Sequence, residues 1–193
     1  MSMDQLLQRY IDIRDRHQQF VKQLTCIPEE PIRRGLEAMI LADTRRRFRS
    51  AAKQAAKKEA HRYHTADGCL ERSSMDKHHD EHPVPLCLIH DALLGRHSQD
   101  DHEKPPVSTP GAALAQFLKT HLFTVRVTEN EHRKVLSGNS MPREWHWWDD
   151  PMSRYKDRSV AYFFSDPLEA QRVGSGQSDG IAVCPHCNAP RAG

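Results

Sequence analysis

The chain has no long apolar run, and that absence excludes a good deal. None of its 193 residues belong to the roughly 20-residue uninterrupted apolar stretch needed to cross a bilayer. Its first residues, Met1-Ser2-Met3-Asp4-Gln5, lack the basic-then-apolar pattern of a secretory leader. A soluble, cytoplasmic protein with no membrane partner is therefore expected. A disulfide framework is missing too. The five cysteines, Cys26, Cys69, Cys87, Cys184 and Cys187, form an odd, scattered set that suits a reducing compartment. Aromatic residues make up 7% and apolar residues 37%, against 28% charged, so long solvated helices around one modest core are expected.

Strong net charge is absent as well: the formal value is +2, which excludes a polycation. Its distribution is uneven. Between Arg33 and Arg62 stand ten Lys or Arg residues against Glu37, Asp43 and Glu59. Arg45, Arg46, Arg47, Arg49, Lys53, Lys57 and Lys58 form a basic stripe of the kind that contacts backbone phosphates, although such a run also occurs as a plain solvated face.

Apolar periodicity organises the chain. Leu6, Leu7, Tyr10, Ile11, Ile13, Phe20, Val21 and Leu24 predict one helix, and Pro28-Glu29-Glu30-Pro31 breaks it. A second helix is predicted from Ile32 to about Tyr63, packed early through Leu36, Met39, Ile40, Leu41 and Phe48 and solvated later. Leu86 to Leu94 reads as a short buried helix, Gly95 to Pro110 as a loop, and Gly111 to Leu122 as an amphipathic helix. Phe123 to Thr128 alternates as a strand does. Thr128 and Glu131 have the spacing of a capping box for a helix over Glu129 to Leu136, and another helix is expected from Asp150 to Arg158. The expected fold is mainly α with a small β-hairpin. Its parts are an N-terminal helical region (1–66), a site-bearing domain with a helical lid (67–173) and a flexible tail (174–193). The N-terminal helices are the natural surface for a partner protein or a second copy.

The densest chemistry lies in His78-His79-Asp80-Glu81-His82, where three histidines and two carboxylates occupy five consecutive positions. Imidazole and carboxylate hold divalent cations, and imidazole also serves as a base near neutral pH. A His-rich chain can carry such a cluster as a solvated loop, and this one has thirteen histidines. A second segment, Val125 to Arg133, adds His132. Glu81-His82-Pro83-Val84-Pro85 resembles the paired-residue signature of the HNH (ββα-metal) endonucleases, and Thr124 to Arg133 resembles the closing strand and helix of colicin-type members. The resemblance covers about fifty-five residues. It implies a ββα-metal motif embedded among helices, a divalent ion (Mg²⁺, Mn²⁺ or Zn²⁺), and hydrolysis of phosphodiesters, with DNA ahead of RNA as substrate. Glu81 and His132 become metal ligands and His82 the general base, with His79 as the alternative catalytic histidine. The family places an orienting Asn where Leu122 and Phe123 stand here; His121, Thr120 or Thr124 are the substitutes at hand. It places a further ligand where Leu136 stands, leaving Asn139 as the nearest candidate, with Asn130 and Glu131 as others.

Two other motifs stand apart. Cys184-Pro185-His186-Cys187 is half of a zinc knuckle. Cys87 and His90 can supply the other half of a structural zinc site, and Cys69 with a nearby histidine is the alternative. Trp145, Trp147 and Trp148, beside Arg143 and His146, suit either base stacking or closure of the core. The competing functional class is thus a non-catalytic nucleic-acid- or protein-binding module with a structural zinc.

Overall fold

The computed structural model describes residues 3–56, 62–69, 77–96, 112–138, 140–165, 184–187, 189 and 191. They fall into two units, Met1–Glu59 with Leu86–Thr120, and Ala60–Pro85 with His121–Gly193. Residues 86–120, which the sequence places with the site, group instead with the N-terminal helices. The protein is mostly helical, with two long N-terminal helices packed together and a small four-stranded mixed sheet. No helix among the described residues is long and apolar enough to cross a membrane.

In the first unit, α1 spans Met3–Leu24 and α2 spans Glu30–Ala56. Leu6, Leu7, Tyr10, Ile13 and Leu24 are buried, a single stripe at helical spacing. The pairs Arg9–Gln54, Tyr10–Phe48 and His17–Thr44 run in opposite sequence directions, so the two helices are antiparallel. Buried Ala51 and Ala52 leave room for close approach beside Phe48. Phe20 and Met39, expected on the packed faces, are instead 52% and 69% exposed. Two shorter helices belong to this unit: α3, Leu86–Leu93, and all but the last residue of α4, Ala112–His121. His90 of α3 stacks on Phe48 at 4.7 Å, with its Nε2 3.2 Å from the Tyr10 hydroxyl.

The second unit is built on β1, Tyr63–Thr65; β2, His78–Glu81; β3, Val125–Thr128; and β4, Tyr162–Phe164. The order is β2-β3-β1-β4, with β1 and β3 parallel and the other pairs antiparallel. In place of the expected hairpin, β2 and β3 form an antiparallel pair separated in sequence by α3 and α4. Tyr63, predicted to end the second helix, begins a strand instead. Strand side chains alternate between faces. The register places His79 opposite Val127, Glu81 opposite Val125, and His64 opposite both Arg126 and Phe163. Tyr63, Val125, Val127, Tyr162 and Phe164 therefore share one face, where they pack with Leu136, Met152 and Tyr155. His64 and Phe163 share the other, where Phe163 packs with Cys69, Cys184 and Ala189. A π-helical turn, Glu131–Val135, follows β3, and α5, Ser153–Asp157, is shorter than the predicted helix. The tail, expected to be flexible, is folded where it is described: Cys184 is buried and Arg191 bridges Phe163 beyond the β4 edge.

One glycine is fixed by space. A Cβ on Gly68 would stand 2.2 Å from the Arg126 carbonyl oxygen, so only glycine lets the turn after β1 approach β3 this closely. Gly35, inside α2, has nothing within 4 Å of a Cβ. Opposite outcomes follow in denaturant melts. Gly68→Ala should destabilise by about 1–3 kcal/mol through overpacking, whereas Gly35→Ala should stabilise by about 1 kcal/mol. Equal effects of the two substitutions would contradict the packing at Gly68.

Candidate metal centre

His79 and Glu81 are two residues apart on β2, an edge strand, and so point to the same face. That is the face on which the π-helical turn carries His132. Glu81 Oε2 lies 2.5 Å from His132 Nδ1 and 3.9 Å from His79 Nε2. The two imidazoles stack at 3.9 Å between centroids. One ligand atom from each residue falls within 4.8 Å of the others, a group able to hold a cation. Burial, followed by the nearby His132, holds the His79 imidazole below its ordinary range, with Glu81, Asp80 and Glu129 opposing. It is thus neutral at physiological pH, the form that ligates.

Glu81 is 8% exposed, and a buried carboxylate needs partners. Its other oxygen, Oε1, accepts a hydrogen bond from Arg154 Nη2 at 2.7 Å. The same guanidinium nitrogen donates to the Leu136 carbonyl, and Arg154 is 2% exposed. The carboxylate is therefore oriented, with Oε2 turned toward the histidines. His132 is set by the predicted capping box. Thr128 N donates to Glu131 Oε2 at 2.8 Å, and Glu131 N donates to Thr128 Oγ1 at 3.2 Å. Thr65 Oγ1 of β1 donates to the same carboxylate oxygen at 2.9 Å, which employs Glu131 as a structural acceptor rather than as the candidate ligand. The turn closes through Leu136 N to Glu131 O at 2.8 Å, the wider ring of a π-helix, a geometry often found at functional sites.

His82 follows β2 directly. Burial pushes its imidazole down to about 4, and the backbone carbonyl of Phe123 is the largest influence in the opposite direction. A main-chain acceptor at Phe123 thus stands where the family resemblance calls for an orienting Asn. Asn139, the candidate extra ligand, lies outside the described residues, as do Lys57 and Lys58. The rest of the basic stripe is more compensated than its sequence suggests. Arg45 pairs with Asp91 at 2.6 Å, and Arg46 and Arg47 each reach Asp43 at 2.5 Å. Arg49 and Lys53 line a depression on α2 together with Arg45 and Arg46. Of the tryptophans, Trp147 is buried with its ring 5.6 Å from His121, whereas Trp148 is 62% exposed.

A second ligand cluster lies on the opposite face of the sheet. His64, Cys69, Cys184 and Cys187 each offer an atom within 4.8 Å of the others, a Cys₃His group able to hold a metal ion. The knuckle closes through Cys184 N to Ala189 O at 2.7 Å. Burial raises the Cys184 thiol, but the His186 and Cys187 backbone N–H groups and the neighbouring thiols outweigh it, and the net shift is downward. Burial and the adjacent Cys69 and Cys184 push Cys187 up to about 12. The partner of the knuckle is therefore Cys69 with His64, not the Cys87–His90 pair. Those two sit on α3 in the other unit, where Tyr10 and Phe48 engage His90. The Cys-x-x-His spacing was a local signal only; the sequence alternative, Cys69 with a nearby histidine, is the one brought to the knuckle, and strand register makes that histidine His64.

Comparison with protein-family models, with curated proteins and with solved structures finds no match to this chain. Of the residues singled out in sequence, His79, Glu81 and His132 come together, and His82 borders them in the chain. Arg154 gave no signal, reading as one more surface cation between Ser153 and Tyr155. Its removal is a direct test of the site's support. Arg154→Ala leaves Glu81 buried without its cation, and equilibrium unfolding should show a loss of about 3–5 kcal/mol. Arg154→Lys should recover part of this by keeping a cation. The remainder is lost because a shorter ammonium must reach both Glu81 Oε1 and the Leu136 carbonyl, which a single guanidinium nitrogen now serves. A loss below about 1 kcal/mol for the alanine variant, the range of exposed pairs, would refute the burial of this ion pair.

Proposed function

We propose that the protein is a metal-dependent endonuclease of the HNH type that hydrolyses phosphodiester bonds in DNA, with RNA as the lesser candidate. The observation that carries this reading is the convergence of His79, Glu81 and His132 on an antiparallel strand pair followed by a helical turn. Two imidazoles and one carboxylate suit Zn²⁺ or Mn²⁺ better than Mg²⁺, which favours oxygen donors. A divalent ion held there would neutralise charge on the phosphoryl and leaving oxygens. Glu81 Oε2 and the two histidines supply the donor atoms, while Arg154 fixes the carboxylate so that its second oxygen is kept for a cation. His82 is neutral at physiological pH and accepts the proton of the attacking water. Burial leaves it a weaker base than a free imidazole even with the Phe123 carbonyl in place, and an incoming phosphate anion would shift it back toward protonation. Arg49 and Lys53 on α2 are the cations proposed to contact the nucleic-acid backbone, with Arg45 and Arg46 beside them.

The Cys₃His group supports a second reading: a non-catalytic nucleic-acid- or protein-binding module organised by structural zinc. One assay separates the two. Plasmid DNA and total RNA are incubated with wild type, His82→Ala and His132→Ala in Mg²⁺, Mn²⁺, Zn²⁺ or EDTA. The nuclease reading requires cleavage that needs metal and that falls at least about 100-fold in His82→Ala, the usual worth of a general base. Cleavage indifferent to both substitutions would rule it out. DNA retarded on a gel by all three proteins, with none of them cutting, would favour the binding module.

A further inference from the structure

The Cys₃His cluster lies on the sheet face opposite the candidate nuclease centre, and nothing in the proposed hydrolysis uses it. The geometry points to a closed, tetrahedral Zn²⁺ site made by His64, Cys69, Cys184 and Cys187, whose role is to clasp the C-terminal segment onto β1 and β4. This inference stands whether or not the protein is a nuclease.

Donor chemistry and spacing agree. Three thiols and an imidazole are the soft and borderline donors that select zinc, and four protein ligands leave no open position for substrate. Bond lengths of about 2.3 Å to sulfur and about 2.0–2.1 Å to nitrogen place neighbouring S and N donors of a tetrahedron about 3.6 Å apart. Cys187 Sγ lies 3.4 Å from His64 Nε2. The remaining histidine nitrogen is also provided for. His64 Nδ1 is 3.3 Å from the Ser165 hydroxyl, an outer contact of the kind that fixes the tautomer and aims Nε2 at a metal. Cys69 and Cys184 are 3% and 0% exposed, and none of the five cysteines is in a disulfide.

Among the described residues, few contacts besides the ligand cluster itself secure the knuckle. Its apolar contacts, among the described residues, are a small cluster of Phe163, Cys69 and Ala189 with Ala66 and Ala161 at the margin. Among the described residues, the ladder linking this segment to the sheet is the single bridge from Phe163 to Arg191. His64 and Cys187 are 123 positions apart, so an ion joining them closes a long loop. Gly68, immediately before Cys69, is the residue that brings the turn after β1 against β3, so the Gly68 constraint also positions one ligand.

The test is metal content of the full-length protein purified from zinc-supplemented cells, measured after dialysis against EDTA. The site predicts one zinc per chain that survives dialysis, is released stoichiometrically by a mercurial thiol reagent, and takes the thermal midpoint down with it. Cys69→Ser and Cys187→Ser should each lose the zinc. Cys87→Ser, the control at the other pair, and His132→Ala, at the candidate nuclease centre, should each retain it. Because a ligand variant can fail to fold, Co²⁺ exchanged into the wild-type protein provides a second reading: intense visible bands of tetrahedral cobalt with thiolate charge transfer. Zinc absent from the wild type, zinc retained by Cys69→Ser, zinc lost from Cys87→Ser, or a six-coordinate cobalt spectrum would each overturn the assignment. Loss of zinc from His132→Ala would instead place the ion at the candidate nuclease centre. A protein that binds zinc as predicted yet cuts nothing would leave this site standing and remove only the nuclease reading.

Discussion

The carboxylate of Glu81 is the point on which the second unit turns. One oxygen is bound by a buried guanidinium from α5, the other by an imidazole from the π-helical turn, and the residue itself closes β2. Burying a carboxylate is expensive unless cations and donors compensate it, and these three elements meet at that compensation. Arg154 extends the constraint by donating to the Leu136 carbonyl, which ties the end of the π-helical turn to α5. The arrangement leaves Glu81 with one committed oxygen and one that a cation can contest with His132. A second histidine, His79, stacks on the first at the partly exposed strand edge.

The sheet then separates two kinds of chemistry. β3 has fully buried valines at 125 and 127, and its pairing with β2 and β1 fixes which side chains face each way. Nitrogen and oxygen donors collect on the face covered by the helical turn, and sulfur donors with one imidazole collect behind it. The two groups share supports. Thr65 hydrogen-bonds Glu131, the capping residue next to His132, and also accepts from Gly68 N in the turn that carries Cys69. Thr65 thus contacts the supports of both groups, at 2.9 Å each.

Much of this was legible in sequence where the signal is local. The stripe from Leu6 to Leu24 announces α1, the proline pair at 28 and 31 announces the break, and Thr128 with Glu131 announces the cap. Glu81 and His132 were grouped through the resemblance of their two segments to the HNH motif, since a histidine between Glu131 and Arg133 is ordinary by itself; their side chains meet at 2.5 Å. The misses share a different cause. β1 and β4 are three residues long, too short for any periodicity, and β1 pairs in parallel with a strand some sixty positions away. Without β1 there is no reason to turn His64 inward, and without His64 the knuckle looks for its nearest Cys-x-x-His, which is Cys87 and His90. Arg154 was hidden because burial, not residue type, gives it importance. The charge of Arg46 and Arg47 was overstated because a single carboxylate, Asp43, answers both from one turn away.

Whether one cation is shared by His79, Glu81 and His132 decides the proposed nuclease centre. Crystals of the wild-type protein soaked in Mn²⁺ and measured at the manganese absorption edge test this directly. An anomalous peak within about 2.0–2.3 Å of Glu81 Oε2 and both imidazoles, with the His132–Glu81 hydrogen bond opened, is the predicted result. No peak at these residues, with Glu81 Oε2 still bonded to His132 Nδ1 under saturating metal, would contradict it.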